Sequence, residues 1–375
     1  MKKKISNLAN GVKNRRFKLV CFNVREFARL MLVMMSAVVG VGFVSGAEIW
    51  SFFARFGKFC WIGIFVFAIL FFCLTFKIIS KNATNEKCVK LHKINKNLSK
   101  NTILTKSRLK LVLLFLSELV IASAMFSGLK ELIWQLFKNN HALIFCLCVL
   151  MVFFLLLFGM SGIEKFNILT MLFVGFIVTT ILIFGFGGQG VGDECLKNVA
   201  TNLSKTAGDF DVFYSFKNIT MSMCFAVAYV FMNIVQIQPI ASAYNISYSK
   251  RKCVIFSAIM TGLMTLLIVL YVLFLYNNNF LANESMPLLV FFKNMGNECL
   301  LSLFVCGLVF GLISTLLACL VGVKHFIAKR VVSNTMQTFV SVMITLIVGA
   351  IDFEIFVGAF YPILGVISFI IFVLL

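Results

Sequence analysis

Ten long apolar runs decide what this chain can fold into. Several exceed the ~18 consecutive apolar residues that suggest a membrane-spanning helix, and 61% of all residues are hydrophobic. A soluble globular chain has only about 45–50% apolar residues. The runs lie near positions 30–53, 59–76, 111–129, 142–160, 168–186, 219–245, 253–276, 299–323, 331–351 and 355–375. The sequence therefore predicts an all-α membrane protein with ten transmembrane helices.

The basic residues predict how the chain is oriented. The net charge is +20, which in a soluble chain would suggest a nucleic-acid partner. In a membrane protein, however, Lys and Arg collect in cytoplasmic loops. If the N-terminus is cytoplasmic, 26 of the 34 Lys and Arg residues lie on the cytoplasmic side. The sequence therefore predicts a basic cytoplasmic tail over 1–29, one transmembrane domain over 30–375, the lipid bilayer as a partner and no nucleic acid.

The number of segments predicts an internal repeat. Ten segments divide into two sets of five, one over about 30–186 and the other over about 219–375. Because five is odd, the second set enters the membrane inverted relative to the first. Inverted-repeat transporters have this arrangement, and their sites use interrupted helices at equivalent places in the two halves. We therefore expect segments 1 and 6 both to be broken.

Segment 1 contains glycines where an unbroken membrane helix would avoid them. It includes the sequence VVGVGFVSGAEIW, in which Gly40, Gly42 and Gly46 each cost a helix roughly 1 kcal/mol relative to alanine. They allow the backbone to unwind beside Ser45, and the freed amide groups of the outer half-helix would attract a carboxylate. The alternative is a glycine face for tight helix packing.

Segment 6 contains one of the three prolines of the chain. Its sequence YVFMNIVQIQPIASAYN places Tyr229, Asn233, Gln236 and Pro239 within about three turns. Proline removes a backbone donor and kinks a membrane helix. The sequence therefore predicts that segment 6 is interrupted near its middle.

Two carboxylates fall inside the predicted segments. Glu48 follows the glycines of segment 1, and Glu118 lies in segment 3. An acid within the membrane is a functional hypothesis by default, because it can bind a cationic group or carry a proton. The alternative for Glu48 is a vestibule residue or an ion pair with Arg55. The alternative for Glu118 is a neutral, hydrogen-bonded contact between helices.

The glycine motif also resembles that of a known family. GVGFVSGAEI, followed by FFARFG, resembles the GFASGQEI signature of the YkvI-like bacterial membrane proteins, and YVFMN is similar to their tyrosine-to-asparagine pattern. This family belongs to the amino acid–polyamine–organocation superfamily, which has the LeuT fold. Val44 and Ala47 depart from the signature, where alanine and glutamine are usual.

The resemblance implies a function and a site. It implies a secondary transporter in the bacterial inner membrane, which moves an amino acid or amine by alternating access coupled to Na⁺ or H⁺. The expected substrate-binding residues are Gly40, Gly42, Ser45, Gly46, Glu48, Glu118, Tyr229, Asn233 and Gln236.

The resemblance further implies a sodium site. Sodium-coupled members of this fold bind one ion between carbonyls of segment 1, here around Ser36 and Val39, and a Ser/Thr pair of segment 8. Segment 8 contains GLISTLLACLVG, in which Gly311 precedes Ser314 and Thr315 by about one helical turn. Oxygen ligands suit a hard cation. The alternative is that these hydroxyls bond back to their own helix.

A rival function is a membrane receptor subunit of the same fold that binds a solute without moving it. An enzyme is not expected, because the sequence has no Walker loop, no HExxH and no arrangement of paired catalytic residues. No cofactor is expected other than Na⁺ or H⁺ as the coupling ion. The sequence leaves the substrate and the oligomeric state open.

Overall fold

The computed structural model describes residues 24–88, 100–136, 140–185, 212–244, 248–278, 286–328 and 333–374, with the single positions 281, 284 and 331. All regular structure among these residues is helical. Residues 1–23, which form most of the predicted basic tail, lie outside the described part.

Fourteen α-helices are numbered here in chain order. They are α1 Val24–Val38, α2 Val41–Val44, α3 Ala47–Phe52, α4 Cys60–Cys88, α5 Lys100–Leu136, α6 His141–Leu157, α7 Met160–Thr180, α8 Val212–Ala243, α9 Lys250–Asn277, α10 Pro287–Asn294, α11 Glu298–Ile327, α12 Asn334–Val348, α13 Phe353–Ile355 and α14 Tyr361–Leu374. A 3₁₀ stretch, Ala54–Phe59, leads into α4, and π-helical turns follow α7 (Ile181–Gly185) and α13 (Phe356–Phe360).

Six helical stretches of the described residues are long and apolar enough to cross a membrane. They are Ala54–Lys81, Val112–Leu136, Gly162–Gly185, Lys217–Ser242, Lys250–Asn277 and Glu298–Ile327. Two further apolar helices, α6 and α12, are shorter. The other two predicted segments correspond to α1–α3 and α13–α14, which are divided into shorter helices.

The outward faces of these helices are apolar. Phe65, Leu143, Leu172 and Ile347 are each more than 60% exposed, and they belong to four different helices. A helix that is apolar on its outer face as well as its inner face is typical of a membrane span. The exposed apolar surface is therefore what a lipid environment requires.

The broken first element lies in the interior of the bundle. α8 packs mainly against α4 and α14, and α11 packs mainly against α5 and α7. α1 contacts α7, α8 and α11. α11 is the most enclosed of the six long helices, with 72% of its most apolar stretch buried against 33% for the stretch in α7. Groups presented by α1–α3 and by α11 are therefore shielded from the surroundings.

The predicted break in segment 1 is confirmed. α1 ends at Val38, and the N–H of Gly40 donates to the carbonyl of Val38 at 2.9 Å instead of to that of Ser36. After the single turn of α2, Gly46 takes a φ of 84°, in the left-handed region that favours glycine. α3 begins at the next residue. The segment is therefore three short helices separated by two non-helical steps.

The predicted break in segment 6 is wrong. α8 is one helix from Val212 to Ala243, with Pro239 inside it. Proline removes a single backbone donor, and membrane helices tolerate that loss through local adjustment. Pro239 is also only four residues from the end of α8, so few helical bonds lie beyond it. Asn233 supports the helix as well, because its side-chain amide donates to the carbonyl of Tyr229 at 2.9 Å. The breaks of the two halves therefore do not match.

Candidate functional site

Gly42 and Glu48 fit together across the break. A Cβ added at Gly42 would overlap the carboxylate of Glu48, because that side chain folds back over the glycine. Glu48 is only 3% exposed. The sequence predicted that Gly42 frees the backbone, but the structure places Gly42 inside the helical turn α2, where it leaves space for this carboxylate.

Glu48 is held by a tyrosine of α8. The hydroxyl of Tyr229 donates to Oε2 of Glu48 at 3.3 Å. The ring of Tyr229 is fully buried and packs against Phe52, Phe53 and Phe67. Two of the predicted substrate-binding residues, from segments 1 and 6, are therefore in direct contact.

The ion pair considered between Glu48 and Arg55 is not formed. The guanidinium of Arg55 lies over the ring of Phe225, 4.2 Å from its centroid. Among the described residues no Lys or Arg pairs with Glu48. Removing a carboxylate from water without a cation is costly unless other partners satisfy it. The Tyr229 hydroxyl is the hydrogen-bond donor to Glu48 in this part of the chain.

Four further polar atoms on α8, α11 and α14 are buried and unpaired within the described residues. They are Oδ1 of Asn233, Oε1 of Gln236, Oγ1 of Thr315 and the hydroxyl of Tyr361. Buried polar atoms are normally hydrogen-bonded, so each of these four atoms is available to a polar ligand that reaches it.

The predicted sodium ligands come together. Because Gly40 bonds to Val38, the carbonyl of Ser36 is released from the helix and accepts a hydrogen bond from the Ser314 hydroxyl at 3.1 Å. A Cβ built on Gly40 would lie 2.7 Å from Oγ1 of Thr315. The break that follows α1 therefore lies directly against the Ser/Thr pair of α11.

Gly311 completes the contact between α11 and the break. A Cβ built on Gly311 would lie 3.7 Å from the carbonyl oxygen of Val39. Glycine at this position therefore lets the backbone of the first segment approach α11 closely.

Asn167 of α7 joins this group, and the sequence analysis missed it. Its Oδ1 is 3.0 Å from the Ser314 hydroxyl, which also contacts the carbonyl of Ser36. A hydroxyl carries one proton, so it can donate to only one of these two oxygens. The other oxygen is available to a cation. Asn167 directly precedes the predicted segment 168–186. A polar amide next to an apolar run was the feature of the sequence that pointed to it.

The oxygen atoms suit an alkali cation better than a transition metal. Carbonyl and hydroxyl oxygens are the ligands that hard cations prefer. The described residues contain no group of three or more His, Cys, Asp or Glu side chains that could hold a metal ion.

Glu118 lies apart from Glu48. It projects from α5 into a slot beside Gly322 of α11, where a Cβ would overlap its carboxylate. Gly322 is seven residues beyond Thr315, or about 10 Å along the helix. The structure therefore brings together Gly42, Glu48 and Tyr229, but it places Glu118 in a second location.

A polar network joins three helices at the end of the bundle where α1 begins, here called the α1 end. Nε of Arg29 lies 3.2 Å from Oε1 of Glu164, and the hydroxyl of Tyr244 donates to Oε2 of Glu164 at 3.4 Å. Burial and the negative charge of Glu164 raise the pKa of Tyr244 to about 12. The Arg29–Glu164–Tyr244 network ties α1, α7 and the end of α8 together.

These features define the class to which the protein belongs. Six long apolar helices with lipid-compatible outer faces are the mark of a multi-pass helical membrane protein. Comparison does not narrow this class to a particular family: no protein-family model matches the chain, and a search of the curated proteins finds no significant match. The resemblance to YkvI-like proteins stays a prediction from the sequence.

Proposed function

We propose that this protein is a secondary active transporter of a small organic solute with an ammonium group, either an amine or an amino acid. In this proposal ten helices form a LeuT-like five-plus-five inverted repeat in the bacterial inner membrane, with the N-terminus in the cytoplasm. The observation that carries it is the break in segment 1, which presents the Glu48 carboxylate and the freed Ser36 carbonyl between α8 and α11.

The site favours the ammonium end of the solute. The sequence suggested that amide groups after the break would bind a carboxylate. However, α3 has only six residues, and the N–H of Ala47 lies 3.4 Å from the Ser45 hydroxyl. The carboxylate of Glu48 already occupies the space over Gly42. A second carboxylate there would be repelled, whereas an ammonium group would gain a charged hydrogen bond. In this proposal the unpaired side-chain oxygens of Asn233 and Gln236, both on α8, would accept hydrogen bonds from the same ammonium group.

The coupling ion in this proposal binds on the other side of the break. Carbonyl oxygens of Ser36 and Val39, hydroxyls of Ser314 and Thr315, and the amide oxygen of Asn167 would surround Na⁺. The same break then serves both ligands, so that binding of one organises the backbone for the other. A proton carried by Glu48 is the alternative means of coupling.

Alternating access requires that the path from the binding site to one side of the membrane can close and open. The Arg29–Glu164–Tyr244 network holds the start of α1 against α7 and α8. Because α1 is separated from α3 by non-helical steps, it can tilt without moving the rest of segment 1. We propose that release of this network opens the site to the cytoplasm.

Transport by Glu48→Gln protein tests the proposal. Purified protein in proteoliposomes is assayed for uptake of radiolabelled amines and of basic and neutral amino acids, under imposed Na⁺ or pH gradients. We expect uptake of at least one solute by the wild type, and loss of uptake or a flat pH profile for Glu48→Gln, which keeps the shape but not the charge. Glu284→Gln, at an exposed position, is the matched control and should transport normally.

Two results would contradict the proposal. Solute binding without uptake under any gradient would favour the receptor-subunit function. Normal rate and normal pH dependence in Glu48→Gln would mean that this acid is structural.

A further inference from the structure

A cavity opens at the α1 end between α5, α8 and α11. Its volume is about 390 Å³, which lies within the range of small-molecule sites. Glu118, Gln238, Ser242 and His325 supply its polar groups, and the remaining wall is apolar. It is separate from the candidate site at the break, because neither Glu48 nor Tyr229 lines it.

Glu118 supplies the acidic group of this wall. It is 5% exposed, and among the described residues it has no hydrogen bond or ion pair. Gly322 leaves the space that its carboxylate occupies. A buried carboxylate without a partner is costly, so a cation that enters the cavity would gain a strong interaction.

The titratable groups near Glu118 do not neutralise it. Cys319 of α11 is buried and uncharged as a thiol. The ammonium of Lys324 donates to the carbonyl of Leu156 in α6 at 3.3 Å, so it is committed elsewhere. His325 lines the cavity but is exposed. α8 contributes Gln238, Pro239 and Ser242, none of which titrates.

Two aromatic rings face the same cavity. Phe115 of α5 and Phe326 of α11 stack with centroids 4.4 Å apart and planes 24° apart, and both line it. Aromatic faces attract cations and pack against apolar groups. A wall with one carboxylate and a stacked aromatic pair fits a molecule with one positive charge and an apolar body. An inorganic divalent cation would need several more oxygen ligands.

We propose that this cavity is a second binding site, specific for a primary organic ammonium group that pairs with Glu118 and rests against Phe115 and Phe326. The ammonium group belongs either to a free amine from the aqueous phase or to the headgroup of an aminolipid. This site is independent of the transporter proposed above, because it uses none of the residues at the break.

Binding of phenethylammonium tests the proposal at neutral pH. The full chain is placed in phosphatidylcholine nanodiscs, and affinity is measured by calorimetry for phenethylammonium and for 2-phenylethanol, its neutral analogue. We expect measurable binding of phenethylammonium and no measurable binding of 2-phenylethanol. Glu118→Gln should weaken it by about tenfold or more, as expected for loss of a charged hydrogen bond. Glu298 is an exposed acid at the other end of α11. The control variant Glu298→Gln should bind phenethylammonium as the wild type does.

Adding a second lipid to the nanodisc distinguishes a free amine from an aminolipid as the occupant of the cavity. If an aminolipid is the occupant, phosphatidylethanolamine in the nanodisc should raise the melting temperature of the wild type more than that of Glu118→Gln, and should compete with the amine. If a free amine is the occupant, the added lipid should have no effect.

Equal affinity for the amine and the alcohol would overturn the proposal, and this comparison needs no variant. Unchanged amine affinity in Glu118→Gln would also overturn it. Loss of amine binding in Glu48→Gln alone would assign the amine to the break and reject the second site, while leaving the transporter proposal intact. Loss in Glu118→Gln alone supports the second site whatever the transport assay gives.

Discussion

At the scale of single residues, the site depends on side chains that leave room for others. Gly42 accommodates the carboxylate of Glu48, Gly322 that of Glu118, and Gly311 the carbonyl of Val39. In each case the glycine is needed because a side chain at that position would collide with or crowd a polar group. Two of these pairs, Gly322 with Glu118 and Gly311 with Val39, couple residues that are far apart in the sequence.

Gly42→Ala should destabilise the protein through Glu48. We expect a loss of about 1–3 kcal/mol, because the added methyl group collides with the carboxylate. The measurement is thermal unfolding in nanodiscs. Gly262→Ala is the control, since a Cβ there has open space, and it should be neutral or stabilising in α9.

The double variant Gly42→Ala/Glu48→Ala identifies the cause. If the collision is responsible, shortening Glu48 relieves it, and the two substitutions together cost less than the sum of the separate effects. Strictly additive effects would mean that backbone freedom, and not space for Glu48, requires the glycine.

Removing both hydroxyls, as Ser314→Ala/Thr315→Ala, should abolish any sodium dependence of solute binding. The reason is that the Ser314 hydroxyl is the group that contacts the freed carbonyl of Ser36 and that Thr315 lies against Gly40. The measurement is solute affinity with Na⁺ and with choline. Ser302→Ala, at an exposed position of the same helix, is the control. Sodium dependence that survives in the double variant would rule this site out.

The sequence predicted most of this site, for identifiable reasons. Glu48 stands out because it is an acid inside an apolar run, whereas Ser314 and Thr315 were named from the family resemblance. Asn167 was missed because it lies one residue outside the predicted segment, and its contact with Ser314 joins residues 147 apart. Such a contact depends on how the helices pack against one another. The hydrophobic periodicity of a single segment does not predict that packing.

At the scale of elements, the two halves of the chain respond differently to helix-breaking residues. Glycines break segment 1, because they allow the φ of 84° at Gly46. Pro239 leaves α8 continuous, because it removes one donor and its fixed φ is compatible with a helix. The sequence therefore predicted the glycine break correctly and the proline break wrongly, although both residues are poor helix formers.

Glu164→Gln should loosen the start of α1. The substitution removes the charge that binds Arg29 and weakens the acceptor for Tyr244. Because Arg29 is partly exposed, the stability should fall by no more than about 1 kcal/mol. Hydrogen exchange over 24–38 should nevertheless become faster. Lys165→Gln, next to it and exposed, is the control. Unchanged exchange would show that the network does not hold α1.

The same network has a defined response to alkali. The pKa of Tyr244 is raised to about 12 by burial and by Glu164, above the ordinary value of about 10. A raised tyrosine pKa contributes stability that is complete below pH ~10 and is lost as the pH rises through ~12. The free energy of unfolding should therefore be insensitive to Tyr244 ionisation at neutral pH and should fall as the pH rises through ~12, with a smaller fall in Tyr244→Phe.

At the scale of the whole molecule, hydropathy predicted where the long helices lie but not which helices touch. Six long apolar helices coincide with predicted segments, and the shorter α6 and α12 coincide with two more. Each such segment is specified by its own composition, so no knowledge of its neighbours is needed. Which helices touch depends on side-chain packing between distant parts of the chain.

Cysteine labelling tests the orientation. With the N-terminus in the cytoplasm, α11 begins outside, so a membrane-impermeant maleimide should label the exposed Cys299 in intact cells. Cys195, in the predicted outer loop between segments 5 and 6, is replaced by serine throughout, so that Cys299→Ser should lose this signal. Ala328→Cys, placed at the exposed opposite end of α11, should react only after the cells are permeabilised. The reverse pattern would invert the orientation.

The short helix α10 has a consequence for biosynthesis. The N–H of Leu288 donates to the carbonyl of Ser45 at 3.0 Å, and the side chain of Leu288 lies against Gly46. The ribosome completes residue 45 long before it reaches residue 288. The hydrogen bond between Leu288 and the carbonyl of Ser45 at the break can therefore form only after most of the chain has been translated. The earliest-made segment is thus completed among the last.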